Sequence, residues 1–285
     1  MRILILGASG MLGNAVFRYF SELPDIKTFG TLRSAKALEF FDESLHSYLL
    51  TSVDVENFDS LALVFAQVKP TVVINCIGLV KQLAAANDPL YALPINAMLP
   101  HRLARLCAMI DARLIHISTD CVFSGLRGSY GEGDFADAND LYGRSKYLGE
   151  VVTAPHVVTL RTSIIGHELS SNHGLVNWFL AQQDAVHGFT KAIFSGVPTV
   201  ELARVIAEFV LPNPSLQGLY QVASAPISKY ELLHLLAAEY QKSINIIADD
   251  YLVIDRSLNG AKFQAATDYV SPQWSILIRI MREFG

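Results

Sequence analysis

The 285-residue chain contains no apolar run long enough to span a membrane, and it contains no cluster of Lys and Arg. Its apolar runs, such as residues 71–77, have the length of a strand, whereas a spanning helix needs roughly 20 apolar residues. The formal net charge is -5. Because nucleic acids and anionic membranes are bound through concentrated positive charge, we expect the protein to bind neither.

Cysteine is scarce and shows no paired spacing. The three cysteines are Cys76, Cys107 and Cys121. The short apolar start of the chain is followed by Gly7 too soon for a secretory signal. We therefore predict free thiols in the reducing environment of the cytoplasm. The eight histidines lack metal-ligand spacing and an accompanying carboxylate cluster, so we predict no metal site.

What the chain does contain is a regular alternation of strand-like apolar runs and amphipathic segments, in a composition that is 51% hydrophobic and 17% charged. The predicted strands are residues 2–6, 27–31, 47–52, 71–77, 113–118, 157–162 and 219–223. Such alternation predicts an α/β protein with βαβ units in a doubly wound parallel sheet and helices on both faces.

After residue 165 the pattern loosens, and a helix is next predicted over residues 200–210. The strand at 219–223 then returns to the sheet, so the segment in between is expected to belong to a second, discontinuous unit. We predict a Rossmann domain that binds a dinucleotide and a smaller C-terminal lobe that binds substrate. The boundaries are 1–166 with 194–226 for the domain and 167–193 with 227–285 for the lobe.

A glycine-rich turn follows the first predicted strand and opens a helix expected over residues 14–20. Glycine lets the backbone approach a pyrophosphate, and the helix N-terminus offers unpaired N–H groups and partial positive charge. A glycine cluster can also be a simple tight turn, but the strand before it and the helix after it favour a dinucleotide site. The predicted cofactor contacts in this turn are Gly7, Ser9, Gly10, Met11, Leu12 and Gly13.

The second predicted strand ends without an Asp or Glu, the residue that usually binds the ribose hydroxyls of NAD. Arg33 and Ser34 stand there instead, and a guanidinium with a hydroxyl suits the 2′-phosphate of NADPH. We predict NADPH as the cofactor, with NADH as a possible substitute; a solvated Arg is the alternative interpretation. Asp54 and Val55, after the third strand, are candidate contacts on the adenine side, although Asp54 is almost equally well explained as a helix N-cap.

Tyr142 and Lys146 are four residues apart, which places both side chains on one face of a helix. An ammonium beside a phenol is expected to lower the pKa of the phenol, so that Tyr142 could protonate a carbonyl oxygen as hydride arrives. Thr119 adds a hydroxyl at the end of a strand, at the edge of the sheet where ligands bind in such folds.

These segments together resemble the extended short-chain dehydrogenases and, more narrowly, the dTDP-4-dehydrorhamnose reductase subfamily. The resemblance covers most of the chain. Its motifs are Gly7 to Gly13, Asn75-Cys76-Ile77-Gly78, Ser118-Thr119-Asp120-Cys121-Val122-Phe123, Tyr142-Gly143-Arg144-Ser145-Lys146, Leu160-Arg161-Thr162-Ser163, Gly196-x-Pro198-Thr199 and Arg256-Ser257-Leu258.

The resemblance implies reduction of the 4-keto group of a nucleotide-diphospho-6-deoxysugar, with a homodimer as a possible assembly. It implies that Thr119 holds the substrate oxygen, that Tyr142 donates the proton and that Lys146 binds the nicotinamide ribose. It also implies that Asn96 positions Lys146 through water. The cofactor would further contact Cys76, Ile77 and Gly78.

The chain departs from the subfamily pattern at Ile164, where an aromatic residue is common, and this leaves the sugar open. Cys121 stands where the related sugar 4,6-dehydratases have Glu, which argues against a dehydratase. GDP-fucose synthases resemble the chain here, with a Cys at this place and a His on a later loop that corresponds to His173. A thiolate and an imidazole could epimerise a carbon beside the ketone, so a bifunctional epimerase-reductase is an alternative. The alternative is that Cys121 packs as a small apolar residue and that His173 is an ordinary polar residue of a loop.

The candidate substrate contacts are Lys81, Thr119, Asp120, Trp178 and Arg256. Lys81 and Arg256 are candidates for contacts with the substrate diphosphate, with solvated side chains as the alternative. Trp178 could cover a nucleotide ring, with packing in the core of the lobe as the alternative. A non-catalytic protein is a further alternative, because the regulatory subunit of eukaryotic methionine adenosyltransferase resembles the same subfamily while serving as a binding module.

Overall fold

The computed structural model describes residues 1–79 and 84–285. The predicted segment boundaries can be compared with the strands, which in chain order are β1 (Arg2–Leu6), β2 (Lys27–Thr31), β3 (Leu49–Leu50), β4 (Val72–Asn75), β5 (Arg113–Thr119), β6 (Val157–Thr162), β7 (Ile164–Ile165), β8 (Ala185–Phe189), β9 (Ala192–Phe194), β10 (Val197–Pro198), β11 (Gly218–Gln221), β12 (Ile227–Ser228), β13 (Asn245–Asp249) and β14 (Ile254–Asp255).

The α-helices alternate with these strands in the first half of the chain and cluster in the second half. They are α1 (Met11–Ser21), α2 (Phe58–Val68), α3 (Pro89–Ala92), α4 (Leu99–Met109), α5 (Leu141–Leu148), α6 (Leu175–Ala181), α7 (Thr199–Val205), α8 (Lys229–Glu239), α9 (Ala261–Thr267) and α10 (Trp274–Phe284). Short 3-10 turns cover Ala35–Phe40, Glu43–Tyr48, Ala84–Asn87 and Asp120–Val122, and π-helical turns cover Leu93–Met98 and Ile206–Val210.

Seven strands form one sheet in the order β11-β6-β5-β4-β1-β2-β3, and every neighbouring pair is parallel. The prediction of a doubly wound α/β fold is therefore confirmed. The order of the strands reverses between β1 and β4, so the connections from these two strands run to opposite sides. Such a reversal leaves a crevice at the carboxyl ends of the strands, where ligands bind in open α/β sheets.

Strand β1 shows why helices cover both faces of this sheet. Its side chains alternate between the faces, so Ile3 and Ile5 belong to one apolar core and Leu4 and Leu6 to the other. Helices α1 and α7 pack on the first face, and helices α2 and α4 pack on the second. Both faces of β1 are thus buried, as its uninterrupted apolar sequence predicts.

The C-terminal part of the chain builds a separate apolar core from α6, α8 and α10. This core contains Val176, Phe179, Leu232 and Leu277. Parallel pairing of β8 with β13 joins two segments that lie about 60 residues apart, since Ala185 is the register partner of Asn245. Within the described part of the chain, no helix is both long enough and apolar enough to cross a membrane.

Several predicted boundaries were wrong. The strand predicted over 47–52 is only Leu49–Leu50, because the 3-10 turn Glu43–Tyr48 occupies the residues before it. The strand predicted over 71–77 ends at Asn75, and the backbone after it turns into the crevice. The helix predicted over 14–20 begins at Met11, directly after Gly10.

Candidate active site at the carboxyl edge of the sheet

The glycine-rich turn has the geometry that a dinucleotide site requires. Gly7 adopts a φ of +83°, which is unfavourable for other residues. A Cβ at Gly13 would overlap the carbonyl oxygen of Gly7, so only glycine allows the helix to pack this closely on the turn. Gly10 is exposed at the N-cap of α1, and no side chain caps that helix. The N–H groups at the start of α1 therefore remain available to a phosphate.

At the end of β2 the structure places Arg33 on the surface, with Ser34 beside it. The Ser34 hydroxyl oxygen accepts a hydrogen bond from the Lys36 backbone N–H at 3.2 Å and so begins a 3-10 turn. This hydroxyl has a structural use in addition to the predicted one. Asp54 does not cap a helix; its side chain accepts from the Glu56 N–H at 3.0 Å, and the N-cap of α2 is Asn57.

Thr119, Tyr142 and Lys146 line one cleft of about 320 Å³ together with the glycine-rich turn. Thr119 is the last residue of β5, while Tyr142 and Lys146 lie one turn apart on α5, whose N-cap is Asp140. The residues that line this cleft are Gly10, Met11, Leu12, Cys76, Ile77, Gly78, Leu79, Ile117, Ser118, Thr119, Asp120, Cys121, Tyr142, Lys146, Thr162, Ser163 and Ile164.

The prediction that Lys146 lowers the pKa of Tyr142 was wrong. Burial raises the pKa of the Tyr142 phenol, and negative charge at Cys121 and Asp120 raises it further, whereas a hydrogen bond with Thr119 opposes the shift. The Lys146 ammonium instead donates to the carbonyl oxygen of Ile117 at 2.8 Å. The phenol is therefore held in its protonated form, which is the form that a proton donor needs.

Burial lowers the pKa of Lys146 to about 8, and the negative charge of Glu150 acts in the opposite direction. The same environment raises the pKa of the Cys76 thiol to about 12, again through burial. At neutral pH the pair is thus an ammonium beside a neutral thiol. Lys146 can hold hydroxyl oxygens as a cation, and Cys76 serves as a small apolar wall of the cleft.

Asn96 connects the segment after β4 to helix α5. Its side-chain oxygen accepts from the Leu79 N–H at 2.9 Å, and its side-chain nitrogen donates to the Ser145 hydroxyl at 3.1 Å. A Cβ placed on Gly78 would lie 3.5 Å from the Asn96 oxygen and 3.7 Å from the Lys146 nitrogen. Asn96 lies in the π-helical turn Leu93–Met98, and such turns are frequent at functional sites.

A second cavity of about 390 Å³ adjoins the cleft and shares Asp120, Cys121 and Ser163 with it. Trp178 and Arg256 also line it, so the structure brings together four of the residues predicted around the substrate: Asp120, Cys121, Trp178 and Arg256. His173 is exposed and lines neither cavity. Lys81 lies outside the described residues.

Two side chains in this second cavity were missed by the sequence analysis. Lys229 and His187 both line it, and the His187 Nδ1 lies 3.1 Å from a carboxylate oxygen of Asp249. Lys229 carried a weak signal, because a Lys that follows a Ser N-cap stands where a helix disfavours positive charge. His187 carried none, since its position depends on the pairing of β8 with β13.

A buried ion pair next to the cleft was also missed. Arg161 of β6 donates from Nε and Nη2 to the two carboxylate oxygens of Glu150, each at 2.7 Å, and Ser118 of β5 donates to the same carboxylate at 2.7 Å. The side chains of Arg161 and Glu150 are only 2% and 3% exposed. A charged residue inside an apolar strand was the available signal, because such a residue needs a partner. Among the residues that the structure describes, no group of three or more His, Cys, Asp or Glu could hold a metal.

Comparison with known proteins bears on the fold and on the family. The family model of the RmlD substrate binding domain matches residues 1–249. The chain is 31% identical over 257 residues to methionine adenosyltransferase 2 subunit beta of Xenopus tropicalis, which covers 83% of this chain and 71% of the relative. It is 28% identical over 241 residues to the dTDP-4-dehydrorhamnose reductase of Aggregatibacter actinomycetemcomitans, covering 81% of this chain and 76% of the relative.

Among solved structures, the fold matches the dTDP-4-dehydrorhamnose reductase of Bacillus anthracis in complex with NADP. The TM-score is 0.79 at 22% identity, and the match covers 99% of this chain and 98% of the other.

Proposed function

Because the chain belongs to the RmlD substrate binding domain family, we propose that it uses NADPH to reduce the 4-keto group of a nucleotide-diphospho-6-deoxysugar. The observation that carries the proposal is the joint placement of Thr119, Tyr142 and Lys146 in one cleft with the glycine-rich turn. Its resemblance to the reductase of A. actinomycetemcomitans supports the same substrate class.

The residues of the cleft suit a dinucleotide. The start of α1 offers uncapped N–H groups for the pyrophosphate, Arg33 can pair with a 2′-phosphate, and the Lys146 ammonium can bind ribose hydroxyls. When bound, the nicotinamide supplies the hydride. NADH can replace NADPH where the contact of Arg33 with the phosphate is not essential.

The chain itself contributes the proton and the orientation of the ketone. Tyr142 donates its phenolic proton to the oxygen of the ketone, and burial keeps that proton in place until the oxygen becomes basic. The Thr119 hydroxyl, held by the Cys121 backbone N–H at 3.1 Å, contacts the same oxygen. Asn96 positions helix α5, which carries Lys146, through its hydrogen bonds to Leu79 and Ser145.

The remaining assignments follow from the same proposal. Residues 1–166 and 194–226 hold the dinucleotide, and residues 167–193 and 227–285 hold the nucleotide sugar, with Trp178 and Arg256 as contacts. The small number of cysteines and their lack of paired spacing support action in the cytoplasm. A homodimer is the assembly that size-exclusion chromatography with light scattering should be used to test.

The direct test is NADPH oxidation with a panel of 4-keto nucleotide sugars that differ in base and in sugar stereochemistry. We expect turnover with at least one of them, and none with the matching 4-hydroxy compounds. Tight NADPH binding without turnover of any panel member would instead favour a non-catalytic binding subunit, the alternative that the similarity to methionine adenosyltransferase 2 subunit beta supports.

A second candidate function is epimerisation before reduction, and the position of Cys121 favours it. Its Sγ lies 4.0 Å from the Arg256 guanidinium in the space where the two cavities meet, and a neighbouring guanidinium stabilises a thiolate. The partner first predicted, His173, does not line this space, whereas His187 does.

The epimerase hypothesis is tested by incubating protein and 4-keto substrate in deuterated water before NADPH is added. Epimerisation predicts deuterium on a carbon beside the ketone, and Cys121→Ser should stop the exchange while sparing reduction. Efficient reduction by the wild-type protein with no exchange would leave the simple reductase.

A further inference from the structure

Lys229 places its ammonium at the wall of the second cavity, against the ring of Phe194. It is the first residue of α8, directly after the N-cap Ser228. Its Nζ lies 4.4 Å from the centre of the Phe194 ring. Across residues 1–79 and 84–285, the ammonium forms no hydrogen bond and no ion pair with another described residue.

This position is unfavourable for an ammonium in two independent ways. Burial removes water from the charge and lowers the pKa of Lys229, which the charges of Asp120 and Cys121 only oppose. The first turn of a helix also carries partial positive charge, so a Lys at that position is repelled rather than stabilised. A Leu or Met would fill the same space, and the packing of α8 therefore does not explain the choice of Lys.

A second cation faces the same cavity. Arg256 donates from Nε to the carbonyl oxygen of Phe123 at 2.8 Å, and its Nη1 lies 4.0 Å from the Cys121 Sγ. Both Arg256 and Lys229 oppose the rise that burial causes in the pKa of Asp120. The titratable groups that line the cavity are Asp120, Cys121, His187, Lys229 and Arg256, and His187 already has Asp249 as a partner.

The second cavity thus contains two cations, Lys229 and Arg256, and one buried carboxylate, Asp120. It borders the cleft that contains Thr119, Tyr142 and Lys146. Its other walls are aromatic and aliphatic and include Trp178, Phe189 and Leu252. Apolar walls suit a base, and the surplus positive charge suits an anionic group that lies between that base and the reacting sugar.

We propose that Lys229 and Arg256 together bind the diphosphate of the nucleotide sugar, and that Lys229 determines the preference for a nucleoside diphosphate over a monophosphate. This inference rests on the proposed function for its substrate class. It adds a specificity-determining residue that the site motifs do not contain. The two negative charges of the diphosphate match the two cations, and binding relieves the desolvation that Lys229 suffers alone.

The test measures binding and not turnover, by calorimetry with dTDP, UDP and dTMP as probes. Lys229→Met should weaken dTDP or UDP binding about tenfold or more, the effect of losing a charged hydrogen bond, and should weaken dTMP binding much less. NADPH affinity should not change. Lys229→Arg, which keeps the charge, should retain most of the diphosphate affinity.

The matched control is Lys191→Met. Lys191 is exposed and pairs with the exposed Asp250 at 3.1 Å, so its replacement should leave dTDP and UDP binding unchanged. Because Lys229 is placed unfavourably, Lys229→Met should also raise the melting temperature. A Lys229→Met protein with wild-type dTDP and UDP affinity would overturn the inference, and so would one that loses NADPH binding together with nucleotide binding.

Two further outcomes distinguish a diphosphate contact of Lys229 from a contact with the sugar, and from failure of the proposed function. If Lys229 contacts a carboxylate on the sugar instead, Lys229→Met would reduce the affinity for UDP-glucuronate relative to UDP-glucose and leave UDP itself unaffected, which would contradict the diphosphate assignment. If no 4-keto sugar is reduced while dTDP or UDP binding still depends on Lys229, the proposed function fails and the anion site stands.

Discussion

The two cavities that share Asp120 and Cys121 differ in whether their lysine ammonium group has a hydrogen-bond acceptor in the protein. In the cofactor cleft, the Lys146 ammonium donates to the Ile117 carbonyl, and both ends of the Asn96 amide are bonded. In the second cavity, Lys229 has no acceptor among the described residues. The first site is held in shape by the protein alone, whereas the second carries charge that a ligand would complete.

The largest expected effect comes from Tyr142, the proposed proton donor. Tyr142→Phe should reduce kcat by about 100- to 10,000-fold, the usual contribution of general acid catalysis, because only the transferred proton is lost. NADPH binding, measured by fluorescence titration, should stay close to wild type.

The control for this change is Tyr147→Phe, which alters an exposed phenol on the same helix and should leave kcat unchanged. If Tyr142→Phe keeps turnover within a few-fold of wild type, another group donates the proton. Lys146→Met should differ from both by losing NADPH affinity together with turnover.

A change in the buried ion pair of Glu150 and Arg161 tests how much the pairing of buried charges beside the cleft contributes to stability. Glu150→Gln should destabilise the protein by about 3 to 5 kcal/mol, because it leaves the Arg161 charge buried without a counter-charge. Denaturant unfolding gives the value. Glu150→Gln should lower the stability of the protein, whereas Lys229→Met should raise it. This difference would separate the paired charges beside the cleft from the cation of the second cavity.

The comparison variant is Glu208→Gln, which removes an ion pair with Arg204 whose Glu side chain is 48% exposed. Exposed pairs contribute about 0 to 1 kcal/mol, so this variant should unfold almost like wild type. Equal losses from Glu150→Gln and Glu208→Gln would show that burial of the pair is unimportant.

Arg33 lies on the surface after β2 and tests the proposed contact with the 2′-phosphate of NADPH. NADPH should bind more tightly than NADH, and Arg33→Ala should shrink that gap by about 1 to 3 kcal/mol. Arg105→Ala, another exposed guanidinium, should change neither affinity. Wild-type protein that binds the two dinucleotides equally would contradict the assignment.

A pH dependence is also expected from Lys146, whose pKa is lowered from 10.5 to about 8 by burial. The unfolded chain keeps the usual value, so between these two pKa values it binds more protons than the native protein. Stability from this group therefore rises as the pH increases through that window, and Lys146→Met should remove the rise.

Catalysis should respond to the same titration with the opposite sign. In the proposed mechanism the ammonium form of Lys146 binds the ribose, so kcat/KM for NADPH should fall above about pH 8, by about tenfold for each further pH unit. Tyr142 keeps its proton over this range because its pKa is raised. A flat profile up to pH 9.5 would exclude Lys146 as the controlling group.

The predicted bounds of the strands agree with the structure for some strands of the sheet and not for others, and the difference has a physical reason. The bounds of β1, β2 and β6 match the predicted ones. In β1 the reason is that a strand buried on both faces has a continuous apolar sequence, here Ile3 to Leu6. The edge strand β3 was predicted too long, since an edge strand needs few paired residues and its neighbours can form a 3-10 turn instead.

The sequence by itself therefore determined the doubly wound sheet, the family and the glycine-rich turn, and it singled out Thr119, Tyr142 and Lys146. These features depend on periodicity and on short spacings, which are local properties of the chain. The roles of those three residues stay predictions until turnover is measured.

Only the tertiary structure decided which side chains surround the second cavity. His187 reaches it because β8 pairs with β13, and Lys229 reaches it because α8 begins at its wall. His173 lies on the loop before α6 and stays outside. Contacts between segments that are distant in the chain follow from how the C-terminal helices and strands pack together, and no local pattern of residues encodes that packing.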